Sequence, residues 1–192
     1  MKLWDAALKE CKVFHIPQGP ISSMTFNASG QILAAADGSY QINLIKLKPQ
    51  MEVSARLLGH RDIVNTCVFS SEENKKMVSV SMDRSMKIWD VSNQRELKSS
   101  SFASTSLSLA ISANDANFVT GHKNGEVKIW SLGEMKEVQT IQRVHNAQMT
   151  CVKFTPDCSK IVTASCDNTI KVIDMRQSKV LHTIEDDNLF LP

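Results

Sequence analysis

No stretch of this chain approaches the run of about eighteen apolar residues that a membrane-spanning helix needs. Its first residues, Met1-Lys2-Leu3-Trp4-Asp5, lack the apolar core of a signal peptide. Glycine loops of the GxxxxGKS/T or GxGxxG type, which cradle phosphates, are missing. So is a G-x-S-x-G nucleophile turn ahead of a helix. Cysteine is scarce and odd in number, with Cys11, Cys67, Cys151, Cys158 and Cys166 forming no C-x-x-C pair. Reduced, buried thiols serving as small apolar residues are the expectation, with Cys67 and Cys151 in matching places, and this points to a reducing compartment. The histidines form no ligand cluster, His15 and His182 falling on outer strands and His122 at a turn, so neither metal nor cofactor is expected. Charge of one sign is lacking too. Residues 1–96 hold 12 basic and 10 acidic side chains and residues 97–192 hold 10 and 10, which leaves no basic arm for nucleic acid. These absences argue against an enzyme and for a soluble cytoplasmic protein without a membrane span.

What is present is a repeat. The stretch Met82-Asp83-Arg84-Ser85-Met86-Lys87-Ile88-Trp89-Asp90 returns in altered form as Lys2-Leu3-Trp4-Asp5, Val127-Lys128-Ile129-Trp130-Ser131 and Ile170-Lys171-Val172-Ile173-Asp174. A weaker copy is Ile42-Asn43-Leu44-Ile45-Lys46. Anchored on residues 4, 45, 89, 130 and 173, the spacings are 41, 44, 41 and 43 residues. Apolar and polar residues alternate along short runs such as Ile21 to Phe26. Asn124-Gly125 and Thr155-Pro156-Asp157 mark turns. Helical periodicity never persists, and the chain reads as all-β.

A period in the low forties that ends in Trp-Asp is the mark of a WD40 β-propeller blade, and the whole chain resembles that family. The resemblance implies four four-stranded blades plus a two-stranded remnant. They are residues 1–18 (the last two strands of a blade), 19–58, 59–100, 101–142 and 143–184, with a tail at 185–192 that holds the acidic run Glu185-Asp186-Asp187. The polar loop Ser70 to Lys76, with Glu72 and Glu73, reads as solvated surface. A closed ring removes open sheet edges, so four and a half blades are expected to be part of a longer propeller, with completion by a partner chain as the alternative.

In the family pattern one hydrogen-bonded tetrad ties a blade's opening loop to its strands, and His60, Ser79, Asp83 and Trp89 match it. Ser79 lies ten and Asp83 six residues before Trp89. The Ser-His-Asp trio also suits a hydrolase, but its spacing follows the strand order of a blade. The other blades hold fragments. The first has Ile45 in the Trp place and no opening Gly-His. The third has Thr120 and Trp130, with Asn124 in the Asp place. The fourth has Thr163 and Asp167, with Ile173 for Trp and His145 one place out of register. Blades three and four are therefore expected to be less rigid. The loops on the tetrad's rim offer Arg61, Asp62, Arg84, Phe102, Lys123, His145 and Gln148 to a partner, with Phe102 as an exposed aromatic anchor.

A narrower resemblance rests on blade order. A Lys-Leu-Trp-Asp blade end is followed by a blade with Leu33-Ala34-Ala35-Ala36-Asp37 and then by the strong blade two. Gly121-His122 sits late in blade three, and Lys171-Val172-Ile173-Asp174-Met175-Arg176 closes blade four. This order is similar to the WD40 domain of autophagy-related protein 16-like proteins. The resemblance implies a scaffold that brings ubiquitin-like conjugation machinery to a membrane. Segments absent here would bind the conjugation complex, and receptors would dock on the propeller surface. It also implies recruitment to autophagic membranes and a partner face near Phe102 and the blade-three turn, which here reads Lys123-Asn124-Gly125-Glu126. The alternative is a substrate receptor of a cullin-RING ubiquitin ligase, because Asp174-Met175-Arg176 resembles the end of the W-D-x-R motif of such receptors.

Overall fold

A computed structural model describes residues 2–4, 11–13, 19–49, 51–71 and 75–185. Asp5, His15, Glu72, Glu73, Asp186 and Asp187 lie outside the described residues. Every regular element described is a strand, so no helix among these residues could cross a membrane. The strands β1 (Lys2–Trp4) and β2 (Cys11–Val13) pair antiparallel.

Four four-stranded antiparallel sheets follow. Blade one is β3 (Ile21–Phe26), β4 (Ile32–Asp37), β5 (Ile42–Lys46) and β6 (Glu52–Leu57). Blade two is β7 (Val64–Phe69), β8 (Lys76–Ser81), β9 (Ser85–Asp90) and β10 (Arg95–Ser101). Blade three is β11 (Ser106–Ile111), β12 (Asn117–His122), β13 (Val127–Ser131) and β14 (Lys136–Ile141). Blade four is β15 (Met149–Phe154), β16 (Lys160–Ser165), β17 (Thr169–Asp174) and β18 (Lys179–Glu185). Each sheet is a meander in which strands adjacent in sequence are adjacent in space. Ser101 and Glu185 therefore end the outer strands of blades two and four and start nothing new.

The first strands β3, β7, β11 and β15 lie side by side, and each carries a register shift near its start. A bulge repeated at the same place tightens the twist and bends the strand. Hydroxyls clamp neighbouring first strands together. Ser22 Oγ donates to the Val64 carbonyl at 2.7 Å, the Cys67 amide donates to Ser23 Oγ, and the Val152 amide donates to Ser108 Oγ. The true counterpart of Cys67 is thus Val152. Cys67 is buried, whereas Cys151 and Cys166 are exposed and Cys158 is half-buried, which corrects the expectation of uniformly buried thiols. Burial pushes the Cys67 thiol up to about 11, Ser23 opposing it weakly, so it is protonated and inert at neutral pH.

The core lies between blades, because each strand presents alternate side chains to two neighbours. Val78, Val80, Met86 and Ile88 of blade two meet Phe102, Leu109, Phe118, Trp130 and Leu132 of blade three. The equivalent face of blade three, Val119, Val127 and Ile129, meets Met149, Val152, Ile161 and Ile173. In blade four the same positions are Val162, Ala164, Ile170 and Val172, and among the described residues no sheet follows to cover them. Ile170 is 43% exposed where its counterpart Met86 is 0% exposed.

Candidate functional site

Blade two brings its four marked residues together. The Trp89 indole N–H donates to Ser79 Oγ at 2.8 Å, and the Ser79 hydroxyl donates to His60 Nε2 at 2.8 Å. The opposite ring nitrogen, Nδ1, then carries the proton and donates it to Asp83 Oδ2 at 3.0 Å. Asp83 also accepts the backbone amides of Arg61 and Ser85 and the Ser85 hydroxyl. Burial alone would raise the Asp83 carboxyl, but hydrogen bonds from Ser85, the Arg61 amide and His60 together outweigh it and hold it at about 2. Burial lowers His60 more than Asp83 raises it, so the imidazole is neutral at pH 7.

The distances are those of a catalytic triad, but the setting is not. Ser79 is fully buried, and its oxygen is already committed to the indole on one side and the imidazole on the other. No substrate atom can reach that hydroxyl in the folded blade, so the network is a latch between the opening loop and the strands.

Blade four holds a second latch, which corrects the reading of His145 as out of register. His145 Nε2 lies 2.8 Å from Thr163 Oγ1, and Nδ1 lies 3.0 Å from Asp167 Oδ2. Asp167 accepts the amides of Asn146 and Thr169 as Asp83 accepts those of Arg61 and Ser85. His60 and His145 each stand four residues before the first residue of their blade's first strand. The apparent slip arises further on, in the turn between first and second strands, which is one residue longer in blade two. Only the indole is missing, Ile173 being fully buried in its place.

Blade three solves the same problem differently, and no count from Trp130 could show it. Phe102 stands four residues before Ser106, which is the histidine position of the other two blades. It is 8% exposed, with its ring against His122 at 4.7 Å and Trp130 at 5.7 Å. The expectation of an exposed aromatic anchor is therefore overturned: the ring fills the space an imidazole leaves empty. The imidazole comes instead from His122, at the end of β12 and not in a turn. Trp130 donates to Thr120 Oγ1, Thr120 bonds His122 Nε2 at 2.9 Å, and His122 Nδ1 donates to the Ser104 carbonyl at 3.0 Å. A backbone carbonyl thus replaces the carboxylate. The pattern Thr120-x-His122, two residues apart on one strand and so on one face, was the available signal. Blades three and four each hold a hydrogen-bonded latch of their own.

Of the remaining rim residues, Arg61, Arg84, Lys123 and Gln148 are exposed, Asp62 is half-buried and His145 is buried within its latch. Leu58, Ile63 and Met82, which the sequence reading passed over, are exposed apolar residues of the same loops. Among the described residues no group of three or more His, Cys, Asp or Glu is placed to hold a metal ion.

Four-stranded meanders clamped through their first strands and latched through Ser/Thr, His, Asp and Trp define a WD-repeat propeller protein. A family model described as "WD domain, G-beta repeat" matches residues 51–90, 95–131 and 135–174, more than half of the chain. The chain belongs to the WD40 repeat family, whose members serve as protein–protein interaction scaffolds. It is 24% identical to "Guanine nucleotide-binding protein subunit beta" of Oryza sativa subsp. japonica over 169 residues, covering 81% of this chain and 44% of that protein. The Arabidopsis thaliana protein of the same description is 24% identical over 199 residues, with 95% and 52% covered. The Solanum tuberosum one is 23% identical over 190 residues, with 91% and 50% covered. The chain spans about half the length of these curated relatives.

Proposed function

We propose that this chain is the partner-docking propeller of an autophagy-related protein 16-like protein, a cytoplasmic scaffold that directs lipidation of a ubiquitin-like modifier as autophagosomes form. His122 is the observation that carries the reading. The late Gly121-His122 is a working part of the blade-three latch, with Phe102 in the usual histidine place, so the feature on which the resemblance leans has a structural job. The buried Ile173 in Lys171-Val172-Ile173-Asp174-Met175-Arg176 agrees with it. Within this reading the loops do the work and the latches keep them in shape.

The test is co-precipitation of the tagged chain from cells, scored for autophagy receptors and for a cullin-RING adaptor, together with its position during starvation. Association with autophagy receptors and movement to autophagic membranes are expected. Capture of the ligase adaptor instead, lost on Arg176→Ala, would replace this reading with that of a ubiquitin-ligase substrate receptor. Arg176 is exposed and free to serve such a contact.

A further inference from the structure

The loops on the latched rim form one continuous band, and the charged side chains it exposes are all cations. The Met82 amide bonds the Ile63 carbonyl, and the Phe102 amide bonds the Arg84 carbonyl. Further along, Lys123 is tied to Thr105, His145 to Gly125 and Cys166 to Gln148 in the same way. Each loop is stitched to the next, from blade two to blade four. Along this band Arg61, Arg84, Lys123 and Arg143 are exposed, and none of them forms an ion pair among the described residues.

The carboxylates of the band are spent elsewhere. Asp83 and Asp167 close the latches, Glu126 is buried, and half-buried Asp62 accepts the amide of Ile63. The band holds four cations and four carboxylates and is neutral in sum, but it turns the cations outward and the carboxylates inward. The same loops also expose apolar side chains: Ile63 and Met82 are each 43% exposed and Leu58 is 68% exposed. Hydrogen bonds to the strands hold these loops, so little ordering entropy is lost when they bind.

We infer that the rim of blades two and three docks an extended acidic peptide segment of a protein partner, its carboxylates on Arg61, Arg84 and Lys123 and an apolar side chain on Ile63 and Met82. The inference rests on the protein-docking reading above and adds the partner's chemistry and the residues that meet it. Arginine forks suit carboxylates bidentately, and methionine adapts to varied apolar side chains. Exposed apolar side chains on the same loops as the cations fit a peptide better than a nucleic-acid backbone, whose repeating groups are anionic.

The test pans a displayed library of random linear peptides against the chain, then measures the selected synthetic peptides by fluorescence anisotropy. Selected peptides should be rich in Asp and Glu beside Leu, Met or Phe, with affinity falling as salt rises. Arg61→Glu with Arg84→Glu should weaken binding roughly tenfold or more. Both residues give only backbone groups to the latch and the strands, so unchanged thermal unfolding is expected. Lys136→Glu with Lys179→Glu, two reversals on outer strands, should leave binding unchanged. Selection without acidic enrichment, no selection at all, or equal loss in the two double variants would overturn the inference. Capture of phosphatidylserine vesicles with no peptide selected would overturn it as well, making the rim a lipid surface. Autophagy receptors recovered by the Arg61/Arg84 variant would sink the rim assignment alone. Acidic peptides bound with no autophagy receptor recovered would sink the autophagy reading alone.

Discussion

Blades two and three face the same task with different residues. In blade two the imidazole arrives from the opening loop and ends on a carboxylate, whereas in blade three it arrives from β12 and ends on a carbonyl. The hydroxyl in the middle and the indole behind it are shared. What the three latched blades share is a hydrogen-bonded chain from a buried hydroxyl through an imidazole to an acceptor at the rim, not a fixed residue at each step. Blade four bears this out from the other side, with the imidazole and carboxylate kept and the indole replaced by Ile173.

The largest expected effect tests how blade three is joined to blade four. Gly125 has a φ of +77° in the blade-three turn, and a Cβ there would lie 2.0 Å from the His145 carbonyl oxygen. Backbone on both sides leaves no side chain to swing away. Gly125→Ala should cost about 3 kcal/mol or more, read as a lowered melting temperature. Gly133→Ala, where nothing lies within 4 Å of the new methyl, should be nearly silent. Equal melting temperatures for the two variants would show that the blade-three turn does not clasp the blade-four opening loop.

Next come the latches themselves. His60→Ala and His145→Ala each take the imidazole partner from a buried hydroxyl and from a half-buried carboxylate, so each should cost about 1–3 kcal/mol in urea unfolding. The two losses should agree to within about 1 kcal/mol, because the bonding patterns match. A negligible loss at His145 would restore the picture of a loose fourth blade.

The sequence made the period, the strand meander and the blade-two tetrad legible, because Trp89, Asp83 and Ser79 keep fixed distances along β8 and β9 whatever the loops do. His145 was hidden because the count from Trp to His crosses a turn whose length varies between blades. Counting forward to the first residue of the first strand removes that error and places Phe102 in the histidine position at once. Which loop residues stay exposed was not legible: Phe102 lies between His122 and Trp130, a contact set by residues far away in the chain. The polar rim residues Arg61, Arg84, Lys123 and Gln148 were readable as exposed because nothing apolar draws them in.

The smallest expected effect separates the latches by their acceptors. Burial lowers His60, His122 and His145 below the ordinary 6.5, so the unfolded chain takes up protons that the fold refuses. Their stabilising contribution is complete above about 6.5 and is lost as pH falls below it. Asp83 follows a separate course, its contribution persisting until pH drops from 3.8 toward about 2. Protonation at Nε2 costs each latch its acceptor for the Ser or Thr hydroxyl. In blades two and four a charged carboxylate at Nδ1 repays part of that cost, whereas at His122 the Ser104 carbonyl also favours the charged ring but, as a neutral dipole, repays less. Glu126 and Glu137 favour the charged form of His122 only through longer-range attraction, opposed by Lys128. His122→Gln should therefore flatten the fall in urea midpoint between about pH 7.5 and 5.5 more than His60→Gln does. The reverse order would mean that the Asp83 carboxylate does less for a charged His60 than its 3.0 Å approach implies.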